Sequence, residues 1–377
     1  MRLAFISTYL PQRCGIATYT SYLVDALLQV APHVRIKVIA EDLASTVETD
    51  RLTVLPVWSR RGDYVSTILE HLEDIDCLHI QHEYSIYGFD DRLPRLLDSV
   101  PGDIKKILTI HCIRPAQFSE RAAIDENFAY TIAKRADRII LHLEAQKAIL
   151  MRLGIEANKI RIIPHGTLIT NEDKLNSREK FNLPKDAKIV LMFGFVKPHK
   201  CYEVAIKALT HILKKRRDVY IFIAGTVAPT ASEREKQYVE YIRDMIDKLD
   251  VADNVIFPNR FFPDEDVPYL MGASDIVLFH YYEEDRSSSG AFHLAIGAGK
   301  PIIATRIPKF EELKNISDEL LILPYNSEGL AQVILRLLED DTFRNYVINK
   351  TYEYRERTSW KAVAKQHMEV YRDATSW

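Results

Sequence analysis

Short apolar runs alternate with amphipathic helical stretches in two successive series along this chain, and that alternation limits what the chain can fold into. In the first half the predicted strands lie at residues 3–7, 35–40, 52–57, 77–81, 106–110, 138–141 and 160–163. In the second half they lie at residues 189–193, 220–224, 255–257, 276–279, 301–304 and 321–323. Continuous apolar strands separated by helices are typical of parallel sheets covered on both faces. The sequence therefore predicts the α/β class, with two doubly wound, Rossmann-like parallel sheets.

A polar stretch between the two series is the candidate domain linker. Residues 170–186, TNEDKLNSREKFNLPKD, lose the periodicity seen on either side. With 377 residues, 47% of them hydrophobic, the chain can bury two cores. We therefore expect a first domain at residues 1–172 and a second at residues 185–355. Two such domains in sequence predict a central cleft, lined by the carboxyl ends of both sets of strands.

Charge and cysteine usage exclude several classes of protein. A net charge of −3 gives no electrostatic basis for nucleic-acid binding. The 4 cysteines show no CxxC and no paired spacing, which favours a reducing compartment over a disulfide framework. No apolar run approaches the roughly 18 to 20 residues of a membrane helix. We expect a cytoplasmic protein without a nucleic-acid partner or a transmembrane segment, and leave peripheral membrane contact and oligomeric state open.

Histidines at the predicted strand ends are candidate site residues. His111 follows one strand directly, and His82 and Glu83 follow another. A metal site is disfavoured, because side chains alternate along a strand and separate His79 from His82, and no third ligand has a usual spacing. The sequence therefore predicts polar lining of a cleft, and no metal.

Three turns before helices could approach a phosphate. Gly15 lies in RCGIA at residues 13–17, Gly194 opens GFVKPHK at residues 194–200, and SSSG occupies residues 287–290. A helix start offers free N–H groups and the positive end of the helix dipole. Lys200, directly before a predicted helix, adds a mobile positive charge. Neither GxGxxG nor GxSxG is present, so nicotinamide-dependent and α/β-hydrolase chemistry are disfavoured.

As a set, these segments resemble the family 4 retaining glycosyltransferases of the GT-B fold. The resemblance spans nearly the whole chain, including CGIATYTSYLVDAL, IIPHGT, GFVKPHKCYEVAIKAL, NVIFPNRFFPDEDVPYLMGASDIVLF, GAGKPIIAT and TSWKAVAKQHMEVY. It is closest to a bacterial subgroup that lacks the usual paired-glutamate motif. It implies that the terminal segment, residues 356–377, crosses back onto the first domain.

The chain departs from the family pattern at the donor site. The family's basic pair is matched at Lys200, but its arginine is replaced by Phe195. Alignment on GKP puts Arg286 and Leu294 where the family has its two glutamates. A loop shift would let an acidic residue at 283–285 restore one carboxylate, whereas Arg286 would supply the missing cation.

The resemblance implies transfer of a hexose, with retention, from a UDP, GDP or ADP sugar to a saccharide or glycan acceptor. No metal and no cofactor are expected. The implied catalytic residues are His111, Lys200 and Arg286, and the implied acceptor-side residues are His82 and Glu83. The implied donor-binding residues are Gly15, Gly194, Lys200, Arg260, Phe261, Arg286, Ser288, Ser289 and Gly290.

Two other functions remain compatible with the sequence. One is a GT-B sugar phosphorylase or epimerase that uses the same cleft. The other is a non-catalytic protein that binds sugar nucleotides or glycans, which the missing glutamates make plausible. Release of a nucleoside diphosphate in the presence of an acceptor would separate catalysis from binding alone.

Overall fold

The computed structural model describes residues 1–283 and 286–375, with Arg286 represented by its backbone. The chain forms two compact units. The first comprises Met1–Gly166, Glu284–Gly290 and Thr358–Trp377, and the second comprises Thr167–Glu283 and Ala291–Arg357. The chain therefore passes from one unit to the other at several separate points.

The strands are short, and most are parallel. In chain order they are β1 Arg2–Ser7, β2 Arg35–Glu41, β3 Val47–Glu48, β4 Leu52–Trp58, β5 Cys77–His82, β6 Lys105–Ile110, β7 Cys112–Ile113, β8 Arg138–Leu141, β9 Ile160–Ile162, β10 Lys188–Phe193, β11 Val219–Ala224, β12 Val255–Ile256, β13 Ile276–Phe279, β14 Arg286–Ser287, β15 Ile302–Thr305 and β16 Leu321–Ile322.

Helices connect most of the strands. They are α1 Gly15–Val30, α2 Val65–Leu69, α3 Tyr84–Tyr87, α4 Arg92–Ser99, α5 Glu120–Ala133, α6 Glu144–Arg152, α7 Lys174–Lys180, α8 Tyr202–Ile212, α9 Glu233–Lys248, α10 Val267–Ala273, α11 Gly290–Gly297, α12 Ser327–Glu339, α13 Asp341–Thr358 and α14 Trp360–Thr375. Short 3-10 helices lie at Ala116–Phe118, Ala157–Lys159, Pro198–Lys200, Ala252–Asn254, Asp264–Asp266, Pro308–Asn315 and Asp318–Leu320. Within the described residues, no helix combines the length and apolar character that crossing a bilayer requires.

The first unit is built on a sheet of eight strands in the order β3-β4-β2-β1-β5-β6-β8-β9. All pairs are parallel except β3 with β4, which is antiparallel and lies at the edge. Every residue of β5 is buried, as expected for a central parallel strand covered on both faces. The strand order reverses around β1, whose neighbours are β2 and β5. In doubly wound sheets, ligands bind at the carboxyl ends of the strands at such a reversal.

The second unit contains a six-stranded parallel sheet in the order β12-β11-β10-β13-β15-β16. Its order reverses around β10, which pairs with β11 on one side and β13 on the other.

The start of helix α9 is fixed by hydrogen bonds between two side chains and the backbone. The Ser232 hydroxyl accepts from the Glu235 amide, and the Glu235 carboxylate accepts from the Ser232 amide at 2.8 Å. This capping box satisfies two amides that the helix start would otherwise leave unpaired.

The predicted α/β class with two parallel sheets is confirmed. Each predicted apolar run forms a strand whose ends differ by no more than one residue from the prediction. The two-residue strands β3, β7 and β14 were not predicted, because so short a segment carries no readable alternation.

The polar stretch expected as a linker instead contains helix α7, within the second unit. Arg178 on this helix is only 1% exposed, and its guanidinium donates to Asp275 Oδ2 at 2.8 Å and to the Ala273 carbonyl at 3.1 Å. A polar sequence can thus be ordered by a buried, fully bonded arginine, which sequence periodicity does not reveal.

The terminal helix α14 packs within the first unit. The Trp360 ring lies edge-on to Tyr19 of α1, with ring centroids 5.1 Å apart, and the Tyr371 hydroxyl lies 2.7 Å from His79 Nδ1 on β5. Trp360 also covers Gly166 so closely that a Cβ built on that glycine would lie 2.2 Å from the indole ring. Gly166 is therefore required by the packing of α14.

We expect Gly166→Ala to destabilise the first unit by about 1–3 kcal/mol, because a buried indole cannot withdraw from an added methyl group. Chemical denaturation followed by tryptophan fluorescence measures this change. Gly102→Ala is the matched control, since a Cβ there meets nothing within 4 Å. Equal stability of the two variants would contradict this packing constraint.

Candidate functional site

A hydrogen-bonded series of side chains lies at the carboxyl ends of β5, β6 and β8. His111 Nε2 lies 2.8 Å from Gln81 Oε1, and His111 Nδ1 lies 3.2 Å from His142 Nε2. His142 Nδ1 is 2.8 Å from the Ile163 carbonyl, which can only accept, so this nitrogen carries the hydrogen. Gln81 continues the series to His79 on the same strand, at 3.2 Å. Because Gln81 Oε1 can only accept, His111 Nε2 carries its ring hydrogen, and His111 Nδ1 faces His142 Nε2, where neither nitrogen carries a hydrogen while both rings are neutral.

The surroundings of His111 keep its ring neutral. Burial is the main cause that holds its pKa well below the ordinary value, and neighbouring histidines add to the effect. The nitrogen of this neutral ring that could take up a proton, Nδ1, lies against the His142 ring. The geometry therefore suits His111 to shaping the strand end rather than to acting as a base.

An aromatic cluster surrounds this series. The Tyr19 ring contacts the rings of His111, His142 and His165, with centroids 4.7, 5.5 and 5.2 Å away. The Tyr19 hydroxyl is buried without a hydrogen-bond partner among the described residues, and burial raises the pKa of its phenol. The cluster thus gives the strand ends of the first unit a rigid, largely apolar surround.

The segment that begins helix α11 lies beside this strand end. Backbone pairing of β14 with β7 is antiparallel and joins Ser287 to Cys112, the residue after His111. Farther along, a Cβ built on Gly290 would lie 3.6 Å from His165 Nε2. The structure therefore brings residues 286–290 and His111 together within the first unit. The side chain of Arg286, and all of Glu284 and Asp285, lie outside the described residues.

The other predicted residues of the first unit differ in exposure. Gly15 begins α1 with open space where a Cβ would be, and Cys14 before it makes no side-chain cap, which leaves the helix start accessible. His82 is fully buried among Tyr84, Tyr87 and Phe128, and burial lowers its pKa to about 3. Its ring therefore lies in the core, while Glu83 is half-buried.

An ion pair at the end of β2 was not anticipated from the sequence. The Glu41 side chain is 3% exposed and pairs with the Arg60 guanidinium, while Gln12 Nε2 donates to it at 2.8 Å. Burial alone would raise the pKa of the Glu41 carboxyl, but these hydrogen bonds outweigh it and hold the pKa below the usual value. Arg60 also donates to the Ser85 carbonyl at 2.8 Å. The pair thus ties the loops after β1 and β4 to the end of β2 and to helix α3.

In the second unit, two glycines permit a close backbone approach at the strand-order reversal. Gly194 follows β10 with a φ of +91°, a conformation that L side chains rarely adopt. A Cβ on Gly225, which follows β11, would lie 2.0 Å from the Gly194 carbonyl oxygen. Both positions therefore require glycine, and the ends of β10 and β11 are left free of side-chain bulk.

The ammonium of Lys200 lies beneath this turn. Lys200 Nζ donates to the Phe193 carbonyl at 3.1 Å and lies 5.4 Å from the centre of the Tyr281 ring. Burial lowers the pKa of Lys200 to about 8, with the nearby Glu283 carboxylate opposing the shift. A desolvated ammonium at the carboxyl ends of β10 and β13 is suited to hold an anion.

A carboxylate with two basic partners follows β13. Glu283 accepts from Lys309 at 2.8 Å and lies 3.0 Å from His199 Nε2. Burial would raise the pKa of the Glu283 carboxyl, but the His199 hydrogen bond and the Lys309 charge outweigh it and hold the pKa well below its usual range. Lys309, only 10% exposed, was missed by sequence reasoning.

Two exposed phenylalanines stack near Gly194. The rings of Phe195 and Phe261 lie 6.2 Å apart at an interplanar angle of 28°, and both side chains are exposed. The neighbouring Arg260 guanidinium lies over the Phe262 ring at 4.3 Å. In the second unit, Gly194, Lys200, Arg260 and Phe261 thus all lie in the segments that follow strands β10 and β12. Among the described residues, no group of three or more His, Cys, Asp or Glu side chains could hold a metal ion.

Family models match both halves of the chain. The model for "Glycosyltransferase Family 4" matches residues 14–167, and the model for "Glycosyl transferases group 1" matches residues 173–354. An uncharacterized glycosyltransferase of Methanocaldococcus jannaschii is 27% identical over 206 residues, which are 54% of this chain and 49% of that protein. A D-inositol 3-phosphate glycosyltransferase of Corynebacterium efficiens is 24% identical over 93% of this chain and 83% of its own length. The chain spans about half the length of the first curated relatives that it matches.

Solved structures share the fold over the whole chain. The Anabaena protein HepE, solved in complex with UDP, matches with a TM-score of 0.73 and 18% identity, covering 99% of this chain and 100% of that one. Sucrose-phosphate synthase from Thermosynechococcus elongatus matches with a TM-score of 0.74 and 19% identity, covering 99% and 98% of the two chains. With both halves matched by the two family models and this fold in common, the chain belongs to the group 1, family 4 glycosyltransferases of the GT-B fold.

Proposed function

We propose that this protein transfers a hexose from a nucleoside-diphosphate sugar to a saccharide or glycan acceptor. The observation that carries the proposal is the desolvated ammonium of Lys200 at the strand-order reversal of the second unit, under a turn that only glycine can form. The structural neighbour HepE is bound to UDP in one crystal structure and to UDP-glucose in another. UDP is therefore our first choice among the UDP, GDP and ADP donors.

The residues contribute chiefly to departure of the leaving group. Transfer leaves a nucleoside diphosphate, whose developing negative charge a protonated Lys200 would stabilise. Ser288, Ser289 and Gly290 at the start of α11 would add backbone N–H groups and the positive end of the helix dipole. Arg286 would supply a second positive charge, because Phe195 stands where the family has an arginine.

The resemblance to family 4 supports three further parts of the proposal. Transfer occurs with retention of anomeric configuration, and it needs neither a metal ion nor a cofactor. His111 shapes the donor-sugar side as a neutral ring held by its hydrogen bond to Gln81. Gly15 and Glu83 belong to the acceptor side, whereas the buried ring of His82 does not contact the acceptor.

A second function, binding of a sugar nucleotide without transfer, is favoured by one observation. Leu294 on α11 occupies the position of a family glutamate, and its side chain packs against the apolar core of the second unit. No carboxylate from that helix position can therefore contact a ribose. Incubation with UDP-, GDP- or ADP-glucose and a panel of sugar acceptors tests the choice. Acceptor-dependent release of the nucleoside diphosphate supports transfer, and binding without release supports the second function.

Lys200→Ala should lower the rate of transfer by about 10²–10³, or about 2.7–4 kcal/mol, the loss typical of removing one donor to a developing anion. Steady-state rates at saturating and low donor concentration measure the loss. Lys214→Ala, at an exposed position of the same unit, is the control. A Lys200→Ala rate within about twofold of wild type would remove Lys200 from the mechanism.

The lowered pKa of Lys200 predicts a pH dependence of UDP binding. Only the ammonium attracts a diphosphate, and in the free protein half of it is lost at a pH of about 8. Affinity for UDP should therefore fall by up to about tenfold per pH unit above that pH, whereas below it Lys200 stays charged and adds no pH dependence. Titration calorimetry between pH 6.5 and 9.5 tests this, with uridine as the uncharged control ligand. Lys200→Arg, whose guanidinium keeps its charge, should flatten the profile; a flat wild-type profile would contradict the assignment.

His111→Ala should lower turnover by about tenfold or more without a change in the shape of the pH–rate profile near neutrality, because the ring is already neutral there. The exposed His33→Ala is the control variant. A profile that loses an ionisation in His111→Ala would instead show that the ring exchanges protons during transfer.

A further inference from the structure

A buried hydrogen-bonded network in the second unit joins four side chains from separate parts of the sequence. Glu312 Oε1 accepts from the Tyr354 hydroxyl at 2.7 Å, and Glu312 Oε2 lies 3.2 Å from His293 Nε2. The other ring nitrogen of His293 lies 2.9 Å from Thr167 Oγ1. All four residues are buried, with Thr167 and His293 each 1% exposed. The network is therefore an internal structure and not a surface ion pair.

Three members of this network lie close to points where the chain passes from one unit to the other. The chain enters the second unit at Thr167 and again at Ala291, and it leaves that unit after Arg357. Thr167 is the first residue of the unit, His293 lies two residues after Ala291, and Tyr354 lies three residues before Arg357. Glu312 thus connects, inside the second unit, segments that adjoin three of the points where the chain changes unit.

Glu312 is the member of the network whose burial costs most free energy. A buried carboxylate is tolerated only when hydrogen bonds replace its lost water, and here Tyr354 and His293 provide them. Burial, followed by the charge of Glu312, holds the pKa of Tyr354 well above its ordinary value, so the phenol stays a donor. Removing one partner takes a hydrogen bond from a buried carboxylate, which costs more than losing a surface hydrogen bond.

One member of the network lies on the helix that begins at the proposed diphosphate site. His293 is the fourth residue of α11, Gly290–Gly297, and Ser288 and Ser289 precede that helix directly. A rigid helix transmits the placement of His293 to its own first turn. Because His293 lies within one turn of Gly290, holding its ring between Thr167 and Glu312 constrains the first turn of α11.

We propose that Glu312 is a positioning residue that holds α11, through His293, in the orientation needed to receive a diphosphate. In this proposal, the identity of the ligand rests on the proposed function, whereas the anchoring of α11 does not. Glu312 touches no ligand, and its effect on binding is exerted through the helix. Its conservative replacement by glutamine keeps one acceptor and one donor, which His293 can match by exchanging the ring nitrogen that carries its hydrogen.

Hydrogen–deuterium exchange of the full-length protein tests the anchor without any ligand. Tyr354→Phe and Thr167→Val should each accelerate exchange of the α11 amides by about tenfold or more, because each removes one partner of the network. In Glu312→Gln the α11 amides should keep most of the protection against exchange that they lose in Glu312→Ala. Tyr346→Phe is the matched control, since Tyr346 lies on the same helix α13 but is 49% exposed. Exchange of the β10 amides should stay unchanged if only α11 loosens, and should also accelerate if the whole protein is destabilised.

Calorimetric binding of UDP and of uridine tests the link to the proposed site. Tyr354→Phe should weaken UDP binding by about tenfold while leaving uridine binding unchanged, because only UDP carries the diphosphate. Glu312→Gln should bind UDP more tightly than Glu312→Ala, if the latter folds.

The outcomes of the two measurements are distinguishable. Unchanged α11 exchange in both Tyr354→Phe and Thr167→Val would overturn the anchor. Faster exchange with equal losses for UDP and uridine would reduce Glu312 to a general stabilising role and overturn its role as a positioning residue. If wild-type protein binds neither ligand, the choice of a uridine donor fails, while the exchange measurement still decides the anchor.

Discussion

The close approach of Gly194 and Gly225 is the constraint on which the proposed donor site depends. Parallel pairing of β10 with β11 and β13 sets the ends of these strands side by side, and the two turns that follow leave no space for a Cβ at Gly225. The space kept free of side chains is what lets the Lys200 ammonium sit beneath the turn, bonded to the Phe193 carbonyl. Desolvation at that position gives the lysine its unusual acidity. The lowered pKa of this lysine thus depends on the order of the strands and on the glycine turns that follow them.

Much of the fold could be predicted because a strand buried on both faces is largely apolar, as residues 189–193 of β10 are. Helix α7 could not, because its order comes from Arg178 bonding to groups distant in sequence. The same limit applies to β14, a two-residue strand whose place beside β7 follows from tertiary pairing alone.

The candidate site divides in the same way. Gly194 and Lys200 were predictable, because a glycine turn and a lysine before a helix are local signals. His142 carries the same strand-end signal as His111, since it directly follows β8, and the rule could have found it. Lys309 carries none, because its role follows from a partner, Glu283, in another loop. The aromatic burial of His82 was equally unreadable, since Tyr84, Tyr87 and Phe128 enclose it only in the folded chain.

The place of α14 in the chain has a consequence for synthesis. This helix covers Gly166 and Tyr19 with Trp360 and bonds His79 through Tyr371, so it completes the core of the first unit. It is also encoded after the entire second unit. During synthesis, the first unit therefore lacks α14 and exposes the apolar surface that this helix covers until the second unit has been translated. Domains made in sequence usually fold in that sequence; here the unit that is begun first is the one that is finished last.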